Sequence, residues 1–251
     1  MKLWKCSESV LRFYFFRLNI LKYKALFIDL DNTLYDFSAN SREAYHEVYD
    51  LLGYERYFPS FDEYFAIYSK RNEELWRLYD AGNITKDELN TLRYLHPLQV
   101  AGVKNAERIS RQFFTEAMKI LPHKGLLRPH AIECLDYLRP RYKLYILSNG
   151  FTELQRNKMR SAGIEHYFDD VILSEDIGIN KPQRGLFDYA LTVAGRAAKE
   201  SLMIGDSMET DIEGARAAGW DQMFYNYKLL SPLPFQPTYE IHSLNEVTRW
   251  L

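Results

Sequence analysis

Short apolar runs, each followed by a polar cluster, recur along the chain. The first is Ala25–Ile28, which leads directly into Asp29. A continuous apolar run of this length, bounded by polar residues, is typical of a strand buried on both faces of a parallel sheet. Further strands are predicted at residues 143–147, 171–173, 202–204, 222–225 and 239–242. The pattern therefore predicts a sheet of parallel strands.

Helical periodicity separates these runs and predicts helices over residues 152–162, 186–194 and 212–218. The first begins with Thr152-x-x-Gln155, the spacing of a capping box. The last ends at Gly219, a residue type that favours the C-cap position. Strands that alternate with helices predict an α/β fold.

Residues 37–125 follow a different pattern, with long helical stretches and no convincing strand. Helices are predicted at 41–52, 61–79, 86–94 and 104–119, separated by Pro59, Gly82-Asn83, Pro97 and Gly102. We therefore expect a helical insertion after the first strand, with residues 22–36 and 126–251 forming the core.

Composition indicates a soluble globular protein. The chain has 251 residues, of which 47% are hydrophobic and 26% are charged, with a formal net charge of −2. The near-neutral balance argues against a nucleic-acid partner bound through a basic surface. Cys6 and Cys134 suit a reducing compartment and offer no metal-binding pattern. No apolar run is long enough for a membrane span, so we expect a cytoplasmic protein with no membrane partner.

The first 21 residues are rich in apolar and aromatic side chains. Glu8, Arg12 and Arg17 interrupt the apolar run, so it does not match a secretory signal. We expect residues 1–21 to form a dispensable N-terminal extension, and they could derive from a non-native start.

Four polar clusters lie at or shortly after predicted strand ends, where parallel sheets bind ligands. They are Asp29-Leu-Asp31-Asn-Thr33, Ser148-Asn149-Gly150, Lys181-Pro182, and Gly205-Asp206-Ser207 with Asp211. Converging carboxylates repel one another unless a cation joins them, and oxygen ligands suit Mg²⁺. Hydroxyl and lysine groups around such a cation can bind a phosphoryl group. An aspartate can attack that group to form an aspartyl-phosphate.

Taken singly, these residues have simpler interpretations. Asp206 or Asp211 could cap the helix that follows, and Lys181 alone could be a solvated surface residue. The joint pattern, four clusters in order after strands, favours the functional interpretation.

In this order the clusters resemble the four motifs of the haloacid dehalogenase superfamily, over about residues 22–251. The resemblance implies a Rossmann-like parallel sheet flanked by helices. It also implies that residues 37–125 are a C1-type helical cap.

The resemblance implies a role for each motif residue. Asp29 would be the nucleophile and a metal ligand, and Asp31 the general acid/base with its backbone carbonyl on the metal. Lys181 would neutralise nucleophile and phosphate. Ser148 and the Asn149 backbone would hold the phosphoryl oxygens, and Thr33 would orient the motif loop at the phosphate site. Asp206 would be a Mg²⁺ ligand, and Asp211 would support the metal shell.

Asp31 favours a phosphatase over a dehalogenase or phosphonatase. Ester cleavage leaves an alkoxide that needs a proton, which a neighbouring acid supplies. Carbon–halogen cleavage releases a halide that needs none, and the superfamily's dehalogenases lack the second aspartate of this motif.

The segments Asn149-Gly-Phe-Thr-Glu-Leu-Gln155 and Gly205-Asp-Ser-Met-Glu-Thr-Asp-Ile-Glu-Gly-Ala215 resemble those of 5′-nucleotidases for noncanonical pyrimidine nucleoside monophosphates. The expected partner is therefore a small phosphate monoester, with the chain a monomer or weak homodimer. The open alternatives are a sugar-phosphate or broad small-molecule phosphatase, a phosphomutase resembling β-phosphoglucomutase, and a non-catalytic binding protein.

Overall fold

The computed structural model describes residues 21–251. Six strands form one fully parallel sheet in the order β3-β2-β1-β4-β5-β6. They are β1 Ala25–Ile28, β2 Lys143–Ser148, β3 Asp170–Leu173, β4 Ser201–Gly205, β5 Asp221–Tyr225 and β6 Tyr239–Ile241. The predicted N-terminal extension lies outside the described residues except for Leu21.

Strand β1 lies at the centre, where the chain order reverses. Ile28 pairs with Ile146 of β2 on one side and Ile204 of β4 on the other. The carboxyl ends of these three strands therefore open at one edge, and such a switch point is where open α/β sheets bind ligands.

Five helices flank the sheet. One directly precedes β2 in the chain, and four follow it. They are α5 Ala131–Leu138, α6 Thr152–Ser161, α7 Ser174–Ile177, α8 Arg184–Ala194 and α9 Glu213–Ala217. Apolar clusters cover both faces of the sheet, which explains why the strands are apolar along their whole length. Gly219 follows α9 with a φ of +80°, as its predicted place at the helix end requires.

Four helices lie between β1 and β2 and are called the cap below. They are α1 Phe37–Leu51, α2 Phe61–Asp80, α3 Lys86–Val100 and α4 Ala106–Ile120. The cap has its own core of aromatic side chains, including Tyr45, Tyr64 and Phe113. The predicted fold class is confirmed. Among residues 21–251, every helix is too short or too polar to cross a bilayer.

Two local predictions are wrong. Pro97 was expected to separate helices but lies inside α3. A proline there removes a backbone hydrogen bond, yet Leu95 and Leu98 on either side are buried in the cap core, which keeps the segment helical. The capping box at Thr152 is absent, since Phe151 holds the N-cap position without a side-chain cap and Gln155 turns into the interior.

Candidate active site

A tight turn after β1 directs the first aspartates toward the ligand-binding edge. The Asp29 amide still donates to the Ile204 carbonyl at 2.9 Å, so the ladder continues one residue past the strand. Asn32 then adopts a left-handed conformation with a φ of +63°, a region that asparagine tolerates better than most residues. Asp29 and Asp31 both line the cavity at this edge.

Lys181 joins the motifs at the centre of the site. Its side chain is 2% exposed, and Nζ donates to Asp29 Oδ1 at 2.8 Å, Asp211 Oδ1 at 2.6 Å and the Leu147 carbonyl at 2.7 Å. Burial alone would lower the pKa of Lys181, but Asp211 and Asp29 outweigh it and the net shift is upward. The ammonium therefore stays charged beside Asp29.

Three carboxylates crowd together around this lysine. Oxygen atoms of Asp29, Asp206 and Asp211 all lie within 4.8 Å of one another. Burial raises the pKa of Asp29 well above its usual range, and Asp211 and Asp206 add to the shift against the opposing effect of Lys181. Burial and then Asp211 raise the pKa of Asp206 to about 7. Full ionisation of the three carboxylates would therefore exceed the charge that Lys181 neutralises, and this repulsion opposes their ionisation in the absence of a cation.

The hydrogen bonds within the cluster indicate which residues can bind a cation. Both oxygens of Asp211 are engaged, one by Lys181 and the other by the Ser207 amide at 3.1 Å. Asp29 and Asp206 each have one oxygen in these contacts, toward Lys181 and Thr33. Two carboxylates with a free oxygen and raised pKa values fit a hard divalent cation, with Asp211 holding Lys181 and the loop in place.

Asp31 lies apart from the cluster and contacts two residues that sequence reasoning missed. Lys158 Nζ lies 2.8 and 3.1 Å from the two Asp31 carboxylate oxygens, and Gln155 Nε2 donates to Asp31 at 2.8 Å. Lys158 is 3% exposed and Gln155 is fully buried. Their spacing of three residues puts both on one face of α6, a signal that could have indicated a shared partner.

Ser148 lies beside these residues at the end of β2. Its hydroxyl oxygen accepts from Gln155 Nε2 at 2.8 Å and from the Gly150 amide at 3.1 Å. The hydroxyl proton therefore remains available to a ligand in the cavity, which Ser148 lines.

The other two residues predicted at the phosphate have protein partners. Asn149 donates to Asp80 of the cap at 2.8 Å and accepts from the Lys181 amide at 2.8 Å. Thr33 is fully buried and exchanges hydrogen bonds with Asp206, at 3.3 Å to the carboxylate and 3.1 Å from the amide. Thr33 thus positions Asp206, and its contact with phosphate stays a prediction.

The cavity extends from the aspartates into the cap and has a volume of about 540 Å³. Aromatic cap residues line part of it, namely Tyr45, Phe65, Tyr68 and Trp76. Its size lies within the range of small-molecule sites, about 300–1,000 Å³. Trp76 also stacks on Phe151 with ring centroids 5.4 Å apart, so it contributes to packing between cap and core.

Comparison with known protein families establishes the family to which this chain belongs. The model of the haloacid dehalogenase-like hydrolases matches residues 23–219, which include all four motifs. The chain belongs to this family. The predicted class of enzyme, a hydrolase, is confirmed.

Individual relatives cover nearly the whole chain. YfnB of Bacillus subtilis is 30% identical over 90% of this chain and 94% of its own. The pyrimidine 5′-nucleotidases YjjG of Escherichia coli and PynA of Streptococcus pneumoniae are 29% and 31% identical, over 92% and 90% of this chain and 99% and 93% of theirs. The predicted resemblance to pyrimidine nucleotidases, and with it the class of phosphoric monoester hydrolase, is confirmed.

The crystal structure of YfnB, bound to magnesium, superposes with a TM-score of 0.82 at 28% identity and covers 91% of this chain and 98% of that one. The YfnB structure reveals interdomain movement in that protein. The agreement extends through cap and core of the present chain.

Proposed function

We propose that the chain is a Mg²⁺-dependent 5′-nucleotidase for pyrimidine nucleoside monophosphates. The observation that carries the proposal is the pairing of two aspartates with different surroundings at one cavity. Asp29 lies in the carboxylate cluster with Asp206 and Asp211 and contacts Lys181. Asp31 lies outside that cluster, has 25% of its side chain exposed, and is held by Lys158 and Gln155. We infer that Asp29 acts as the nucleophile and Asp31 as the acid/base.

In the first step, a carboxylate oxygen of Asp29 attacks phosphorus. An O–P bond to Asp29 forms, the ester P–O bond breaks, and the leaving alkoxide takes a proton from Asp31. Lys181 and the Ser148 hydroxyl stabilise the oxygens of the transferring group. The nucleoside leaves as a neutral alcohol.

In the second step, water attacks the phosphorus of the aspartyl-phosphate. The Asp31 carboxylate takes a proton from this water, the O–P bond to Asp29 breaks, and inorganic phosphate leaves. Lys158 and Gln155 hold the carboxylate of Asp31 throughout.

Asp29, Asp206 and the backbone carbonyl of Asp31 would hold the Mg²⁺ ion. When bound, the ion supplies positive charge that brings carboxylate and phosphate together.

Two features support a pyrimidine nucleotide. The similar proteins YjjG and PynA are named as pyrimidine 5′-nucleotidases. Aromatic rings of the cap line the cavity, among them Phe65 and Tyr68, and such rings suit a flat base. Asp31 argues against halide release, which needs no proton.

The test is kcat/KM for uridine, thymidine and adenosine 5′-monophosphates and glucose 6-phosphate at fixed Mg²⁺. We expect the pyrimidine nucleotides to exceed both others by about tenfold, or ~1.4 kcal/mol of differential transition-state binding. Preferred turnover of glucose 6-phosphate would refute the nucleotidase assignment and leave the phosphatase intact. Isomerisation of a sugar phosphate without phosphate release would instead establish a mutase.

Asp29→Asn is the matched inactive control, since it removes the nucleophile and nearly preserves shape. Removing one of the crowded buried carboxylates relieves repulsion, so its Tm should equal or exceed that of the wild type. Asp188→Asn, an exposed substitution on α8, should keep full activity.

A further inference from the structure

Arg93 of helix α3 is a buried cation without an acidic partner in the described residues. Its side chain is 3% exposed, and one guanidinium nitrogen donates to the neutral Asn90 side chain. Its Nε has no hydrogen-bond partner among residues 21–251. The ionisable groups around it are the tyrosines Tyr45, Tyr64, Tyr68 and Tyr94.

Burying a guanidinium in this way costs stability. A charged group taken out of water needs hydrogen bonds or an opposite charge in return. An apolar side chain at position 93 would fill the aromatic cap core without that cost. Among residues 21–251, the cap offers this guanidinium the Asn90 side chain and the face of the Tyr94 ring, whose centroid lies 4.9 Å away, but no carboxylate.

Arg93 lines the cavity that reaches down to Asp29. Asn72 lines it as well, and its Oδ1 lies 3.3 Å from the Tyr68 hydroxyl, which leaves the Asn72 NH₂ group as a donor. Arg93, Asn72, Tyr45 and Tyr68 are called the distal subsite below. Two donor groups beside aromatic rings are suited to a flat ligand with acceptor oxygens on its edge.

Asn72 of the distal subsite lies well away from the end of helix α2 that contacts the core. Asp80, at the end of α2, contacts Asn149 of the core at 2.8 Å. Asn72 precedes Asp80 by eight residues, which is about 12 Å along a helix. A substrate must therefore be extended to engage both ends, as a nucleoside monophosphate is.

The charges that line the cavity are mixed. Glu73 and Asp80 line it on helix α2, and Glu73 is paired with Arg77 at 2.8 Å. Asp80 would repel an additional carboxylate on the substrate, whereas a carbonyl edge accepts hydrogen bonds from Arg93 and Asn72 without that repulsion.

We propose that the distal subsite binds the carbonyl edge of a pyrimidine base, with Arg93 as its main hydrogen-bond donor. This inference rests on the proposed nucleotidase function and assigns its specificity to named cap residues. Arg93 acts on the base and takes no part in the phosphoryl chemistry.

The experiment compares uridine 5′-monophosphate with ribose 5-phosphate, which keeps the ester and sugar but lacks the base. We expect Arg93→Met to lose at least tenfold more kcat/KM with the nucleotide than with the sugar phosphate. Arg93→Lys keeps the charge without the planar fork, and we expect a selective loss in the same direction. Arg108→Met, an exposed cap substitution outside the cavity, should match the wild type with both substrates.

Three results would overturn the assignment. Equal losses with both substrates, accompanied by a lower Tm, would mean that Arg93 supports only the cap fold. Unchanged kinetics in both Arg93 variants would exclude a role in binding. A larger loss with phosphoserine than with uridine 5′-monophosphate would assign Arg93 to a carboxylate.

A failure of the proposed nucleotidase function is distinguishable from a failure of the distal-subsite proposal. If the wild type hydrolyses ribose 5-phosphate at least as well as uridine 5′-monophosphate, the nucleotidase proposal fails before any variant is compared. If the wild type prefers the nucleotide and the Arg93 variants keep that preference, only the distal subsite is refuted.

Discussion

Two buried side chains of helix α6 form hydrogen bonds to the Asp31 carboxylate. Lys158 contacts both of its carboxylate oxygens, and the Lys158 ammonium lies 4.8 Å from the centre of the Phe37 ring. The Asp31 side chain keeps 25% of its surface exposed. The carboxylate is therefore restrained in direction yet open toward the cavity, as the proposed acid/base role of Asp31 requires.

The first prediction concerns this contact. Lys158→Met should reduce kcat by about 10-fold or more, because an acid/base group that is no longer positioned transfers protons less efficiently. The loss should be larger for an alkyl phosphate than for p-nitrophenyl phosphate, whose leaving group needs less protonation. The measurement is single-turnover phosphorylation with both substrates. The control is Lys199→Met, an exposed lysine outside the site.

A double-mutant cycle separates positioning from general damage. Asp31→Asn alone should cost about 10²–10⁴-fold in rate, and Lys158→Met should add little in that background because the two act as a unit. Additive losses, or equal losses for both leaving groups, would show that Lys158 acts independently of the acid.

At the scale of elements, the strands were predictable from the sequence and several contacts were not. Strands covered on both faces are apolar along their length, so β2 and β5 depart from prediction by one residue at most. Gln155 was misassigned because its partner Asp31 lies 124 residues away in sequence. The surroundings of Arg93 could not be predicted from the sequence, because its neighbours come from α1, α2 and α3. Only the packing of these helices brings them together.

The end of helix α2 is the element that ties cap to core. Asp80 there accepts a hydrogen bond from Asn149, and Tyr79 packs edge-on against Phe151 with centroids 5.7 Å apart. Burial raises the pKa of Asp80 to about 6, against 3.8 ordinarily. An acid with a raised pKa in the folded state stabilises the fold below its unfolded pKa, and this contribution is lost as pH rises through the folded value.

The second prediction follows from the direction of this pH dependence of stability. Asp80→Asn removes the ionisation, so the variant should gain stability relative to the wild type as pH rises from 4 to 7. The gain is limited to about 3 kcal/mol by the shift of about two units. The measurement is urea unfolding at several pH values in metal-free buffer, with Asp170→Asn, an exposed residue on β3, as control. A difference that stays constant with pH would contradict the ionisation argument.

For the molecule as a whole, the proposed metal binding by the carboxylate cluster would change global stability. Asp29, Asp206 and Asp211 repel one another in the absence of a cation. A ligand that binds only the folded state stabilises it by about 2.7 kcal/mol at 100 times its Kd. In a chain of this size that is a Tm increase of about 5–10 °C.

The third prediction is that Mg²⁺ raises the wild-type Tm by this amount and EDTA reverses the change. Asp206→Asn should lose the Mg²⁺ response while its metal-free Tm stays at or above that of the wild type. Calorimetry with and without Mg²⁺ measures both quantities, and Asp188→Asn should retain the full response. An unchanged response in Asp206→Asn would remove Asp206 from the metal site.

The two chain segments that connect core and cap are joined to each other by hydrogen bonds and an ion pair. The Asp36 amide donates to the Leu126 carbonyl at 3.0 Å, Asn40 bonds both backbone groups of Leu126, and Arg128 pairs with Asp36 at 2.8 Å. The chain thus leaves the sheet and returns to it at one place, where the two connecting segments lie side by side. This place is called the neck below. An insertion with adjacent ends can be exchanged with little disturbance to its host. Chimaeras cut at this neck would keep one reaction centre while trading one set of substrates for another.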